Sequence, residues 1–65
     1  MSPRELRAVV VRVRAEFMEM PGLRLTIPQA ARLWGLNQAD CHDVINELVH
    51  GGFLRRTDSE RVARV

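Results

Sequence analysis

Three adjacent residues, Cys41, His42 and Asp43, are the first in this chain whose types could do chemistry, because a thiol, an imidazole and a carboxylate together suit nucleophilic catalysis or metal ligation. Their spacing argues against both. Neighbours in a helix point about 100° apart and do not converge on one atom. The other histidine, His50, stands eight residues from His42 rather than three or four. A single cysteine cannot pair within the chain, and one thiol with two histidines is too few groups for a structural zinc site. The expected roles are a buried thiol at Cys41 and, at His50, an imidazole that favours the helix dipole. The serines, Ser2 and Ser59, have no candidate base near them in sequence, and Gly22, Gly35, Gly51 and Gly52 form no phosphate-cradling loop. Neither an enzyme, a metal nor a cofactor is expected.

What remains is the chemistry of arginine. All ten basic residues are arginine, against eight acidic ones, for a formal net charge of +2. The sequence pI of about 10.0 overstates this basicity. With no lysine and no tyrosine, little titrates between about pH 9 and 12, and a small positive excess persists. Guanidinium forks match phosphate and carboxylate bidentately, which suits nucleic acid and protein interfaces alike.

The elements that must position these groups belong to one small domain, residues 1–65, since a chain of 65 residues buries only about 60% of its unfolded surface and has no length for a second core. The balance of 46% hydrophobic and 28% charged residues is that of a folded chain. The longest apolar run, Ala8 to Val11, is four residues, far below the roughly 20 that cross a bilayer. Arg4, Glu5 and Arg7 stand where a signal peptide would place apolar residues, so a cytoplasmic protein without membrane contact is expected.

Ser2-Pro3-Arg4-Glu5 is a capping box with proline at the first helical position. Behind it Leu6, Val9, Val10, Val13, Phe17 and Met20 fall within about 100° on a helical wheel, until Pro21-Gly22 stops the run. Leu23-Arg24-Leu25 alternates as a short strand does. Thr26-Ile27-Pro28-Gln29 is a second capping box, opening a helix that runs through Trp34 to a left-handed cap at Gly35. Asn37, with Asp40 three residues on, caps a third helix whose apolar face is Cys41, Val44, Ile45 and Leu48 and whose stop is Gly51-Gly52. Residues 53–57, a polar turn at Asp58-Ser59-Glu60 and residues 61–65 make a terminal β-hairpin.

This order resembles the winged helix-turn-helix family, in the compact form of bacterial regulators such as the MarR-like and ArsR-like proteins. Its most specific part is the spacing Ala31, Gly35, Cys41, Val44: a small residue where two helices cross, a turn glycine, and two residues closing the seam. Cysteine departs mildly from the usual valine or isoleucine. The run from Leu48 to Arg56 looks like a recognition helix passing into a wing. The resemblance implies a mainly α fold with small β, three helices plus a short strand and a hairpin wing. It also implies double-stranded DNA as partner, with the third helix in the major groove and the wing on the backbone. Carried onto this chain, it points to Gln38, Ala39, His42, Asp43 and Asn46 for groove contacts, to Arg32, Arg55, Arg56, Arg61 and Arg64 for phosphates, and to Gln29 and Asn37 as further DNA-binding residues.

Charge opposes that expectation. Residues 37–50 hold Asp40, Asp43 and Glu47 and no arginine, a sum of −3, and Asp58 and Glu60 offset part of the wing. The alternative is a winged-helix module whose acidic third helix meets a basic protein partner. The first helix adds a second surface: Ala8, Val11, Ala15 and Met18 recur opposite its core stripe, flanked by arginines and glutamates, as an interface for a second copy in a homodimer or for the helix of a protein partner would.

Overall fold

The described chain runs through helix α1 (Pro3–Glu19), strand β1 (Arg24–Thr26), helices α2 (Ile27–Trp34) and α3 (Gln38–His50), and strands β2 (Leu54–Arg56) and β3 (Arg61–Arg64). The structure is a computed structural model and describes residues 1–57 and 60–65. Asp58 and Ser59, most of the expected polar turn, lie outside the described residues. The fold is mainly helical with a small three-stranded antiparallel sheet of order β1-β3-β2.

Local chemistry sets each boundary. Ser2 accepts a hydrogen bond from the Glu5 amide at 3.2 Å, and Pro3 starts α1. Only this half of the first capping box forms; the Ser2 amide lies at the exposed chain start, where water serves it as well as Glu5 would. The second box is complete: Thr26 Oγ1 accepts from the Gln29 amide at 3.2 Å, and Gln29 Oε1 accepts from the Thr26 amide at 3.0 Å. Gly35 takes φ 67° at the end of α2, and the Leu36 amide closes back on the Ala31 carbonyl at 2.9 Å. At the end of α3 the Gly52 amide donates to Val49 O and the Phe53 amide to Leu48 O, both at 3.0 Å, with Gly52 at φ 77°. That commits Phe53 to the helix cap, so β2 starts one residue later than the sequence predicts. β1 is likewise displaced by one, because Leu23 bonds back to Met20 O in a turn and Thr26 serves as both last strand residue and helix cap.

The core gathers one face from every element. Val13 and Phe17 come from α1, Ala30, Ala31 and Trp34 from α2, Cys41, Val44, Ile45 and Leu48 from α3, and Leu54 and Val62 from the sheet. Leu6, Val9 and Val10 pack partly against it. Met20, expected in the same stripe, is 49% exposed: as the C-cap, at φ −125° and ψ 77°, it has left the helical path that the wheel assumes. Phe17 and Trp34 meet with ring centroids 6.2 Å apart at 59°, a tilted aromatic contact. Trp34 is further tied to α1, its indole N–H donating to Glu16 and its carbonyl accepting from Arg12.

The strand register places one layer of side chains toward the helices and one away. Leu25, Val62 and Leu54 face the core. Strand residues alternate sides and registered partners share one, so Arg24, Ala63 and Arg55 form a row on the opposite face, with Thr26 and Arg61 in the next row.

Candidate nucleic-acid interface

Burial of Cys41, Val44, Ile45 and Leu48 fixes which side of α3 is left outside. Gln38, Ala39, His42, Asp43, Glu47 and His50 are exposed, and Asn46 is half-buried at the margin. From β2, Arg56 reaches across and donates to Asn46 Oδ1, joining the turn end of the hairpin to this face. Arg56 stands in register with Val62, on the helix side of the sheet, which is why it can make this contact. The Asn46 amide keeps two N–H donors and a second lone pair, the complement that adenine requires.

Gln38, Ala39, His42, Asp43, Asn46 and Arg56 therefore share one continuous surface. The remaining expected site residues are placed elsewhere or already engaged. Asn37 caps α3, accepting from the Asp40 amide at 2.7 Å and donating to Asp40 Oδ2 at 3.2 Å. Gln29 is held in the cap of α2, and Arg32 lies with Leu25, Gln29 and Leu33 along a shallow open groove. Arg55 and Arg61 stand on the outer face of the sheet. Arg64 lies at the hairpin base with its guanidinium 5.3 Å from the Phe53 ring centroid, while Arg14 of α1 lies 5.1 Å from it.

The charges of α3 are not equivalent. Asp40 is half-buried and sits 3.8 Å from the N-terminal ammonium as well as against Asn37. Asp43 and Glu47 are exposed and, among the described residues, have no side-chain partner. Cys41 is fully buried, its thiol 3.7 Å from the Ile27 carbonyl, and burial raises its pKa above the ordinary thiol value. Among the described residues no group of three or more acidic, histidine or cysteine side chains is arranged to hold a metal.

Sequence reasoning missed Arg24 and the stacking of Arg14 on Phe53. The signal for Arg24 was present: alternation in residues 23–25 sets it opposite Leu25 once Leu25 is buried. The Arg14 contact joins residues 39 positions apart and has no local signature.

Ala8, Val11, Ala15 and Met18 are all exposed on α1, Val11 by 68% and Met18 by 53%. No described helix is long and apolar enough to cross a membrane. No protein-family model, no curated protein and no solved structure matches this chain.

Proposed function

We propose that this chain is a winged-helix DNA-binding protein, a bacterial transcriptional regulator acting in the cytoplasm as a homodimer. The observation that carries the reading is the combination of topology and exposure. A helix pair turns at Gly35, the second helix presents a polar face outward, and a hairpin that pairs with the strand before that helix pair is anchored to this face by Arg56 and Asn46. In this reading α3 enters the major groove, with Gln38, His42, Asp43 and Asn46 at base edges. Arg56 orients Asn46. The apolar outer face of α1, at Ala8, Val11, Ala15 and Met18, supports pairing of two copies, which would place two such helices on a two-fold site.

The acidity of α3 favours a second reading, in which the same face docks a basic protein. An amide-resolved titration of the labelled protein with a random-sequence duplex, at low and then moderate salt, separates them. Salt-sensitive shifts in α3 and β2, weakened by Arg56→Ala, are the expected result. An unperturbed spectrum at low salt would overturn the DNA reading and leave the protein-docking one.

A further inference from the structure

The chain segregates its charge in a way that its net value hides. The exposed side of α3 carries carboxylates and no arginine, while the outer face of the sheet carries arginines and no carboxylate in its registered rows. On that face Arg24 and Arg55 flank Ala63 from the two edge strands, and Arg61 lies two residues along the central strand. Strand geometry sets Arg24 and Arg55 roughly 10 Å apart, with Arg61 about 7–8 Å diagonally from each. All three are exposed and, among the described residues, none of their guanidinium groups has a hydrogen-bond or ion-pair partner.

Ala63 shows how the patch is built. It is only 5% exposed although it stands outside the core cluster and faces away from the helices. Its cover must come from this outer side, where the apolar stems of its two registered arginine neighbours stand. A larger residue there would crowd those stems, and alanine leaves room for them. Glu60, next to Arg61 in sequence, lies before β3 starts.

We infer that the outer face of the sheet, through Arg24, Arg55 and Arg61, is the phosphate-docking surface of this protein, and that a nucleic-acid backbone lies across it. The inference rests on the DNA reading above and relocates its electrostatic part. Coulomb attraction to the backbone comes from the sheet, and α3 contributes polar contacts without it. Phosphate is favoured over the carboxylates of an acidic protein because three guanidinium groups with no partner among the described residues match a dense, regular row of anions. Arg24 is the distinguishing residue, since it belongs to neither α3 nor the hairpin.

The test is the salt dependence of binding to a fluorescent random-sequence duplex, measured by anisotropy for the full chain. Each phosphate contact contributes about 0.9 to the slope of log affinity against log salt concentration. Arg24→Gln should lower the slope by about one unit, and Arg24→Gln with Arg55→Gln and Arg61→Gln by roughly two to three. Glutamine keeps the stem over Ala63, and unchanged circular dichroism checks the fold. Duplex should shift the Arg24 and Ala63 amides in a salt-sensitive way. Wild-type binding whose slope the triple variant does not change would overturn the sheet surface while leaving the DNA reading intact. A wild type that fails to bind duplex at low salt would overturn both.

Discussion

Two glycines near helix ends should respond oppositely to the same substitution, and the contrast isolates what sets the angle between α2 and α3. Gly35 has φ 67° and nothing within 4 Å of where a Cβ would stand. Alanine there meets no atom, so its cost is that of the left-handed backbone alone, about 1–2 kcal/mol. Loss of unfolded-state freedom offsets about 0.4–1 kcal/mol of this, leaving a net destabilisation near 1 kcal/mol. Gly51 has φ −75°, and its added Cβ would meet the Glu47 carbonyl at 3.4 Å, an ordinary contact. Gly51→Ala should therefore be neutral or stabilising by up to about 1 kcal/mol. For a domain of this size 1 kcal/mol corresponds to roughly 4–8 °C in Tm, or about 1 M in urea midpoint. Trp34 is the only tryptophan and is buried in the core, so its fluorescence reports both transitions without a label. If Gly35→Ala proved as stable as Gly51→Ala, the left-handed turn would not be what holds α3 at its angle to α2.

Three further predictions address the surfaces and the buried thiol. Val11→Glu should abolish dimerisation, read as a halved mass by light scattering with helical circular dichroism retained; a wild type that is monomeric at high concentration would end the homodimer reading. Because burial raises the Cys41 pKa, its contribution to stability is present below the unfolded thiol value and lost as pH rises through and above about 8.5. Urea midpoints should fall between pH 8 and pH 10 in the wild type and fall less in Cys41→Ala. The comparison isolates the thiol, since every other titrating group is common to the two proteins. Asp43→Asn with Glu47→Gln should tighten binding to random duplex about fivefold, taking about 0.5 kcal/mol per charge removed at roughly 8 Å from phosphate in water; weaker binding would show these carboxylates to be attractive contacts.

What the sequence made legible was whatever is decided within four residues. Caps at Ser2, Thr26 and Asn37 form as their side chains require, and Gly35 adopts the left-handed turn. The buried face of α3 follows from periodicity alone, because one helix has only one way to hide Cys41, Val44, Ile45 and Leu48 together. Legibility failed where one residue serves two elements. Thr26 ends a strand and caps a helix, Phe53 closes a helix before a strand begins, and Met20 leaves the helix just where the wheel extends it. Of the candidate site, the α3 surface could be read from spacing. The meeting of Arg24 with the hairpin arginines on one sheet face could not, since it depends on the pairing of β1 with β3, which brings together residues more than 30 apart in sequence, such as Arg24 and Ala63.

The acidity of α3 looks different once its carboxylates are separated by environment. Asp40 is accounted for within the fold: it completes the Asn37 cap, lies near the N-terminal ammonium and sits in the first turn, where negative charge favours the helix dipole. Asp43 and Glu47 have no such role; they face outward with no side-chain partner among the described residues and oppose any anion lying along the helix. If the proposed DNA reading holds, such a helix would discriminate by refusal, because a backbone attracted to the sheet arginines would gain nothing from α3 unless base edges offered donors to Asp43 and a matching pair of groups to Asn46. On the proposed DNA reading, attraction and discrimination would be carried by different faces of one small domain. Arginines on the sheet would supply sequence-independent affinity, and carboxylates on α3 would penalise every alignment that sets a phosphate where a base should be.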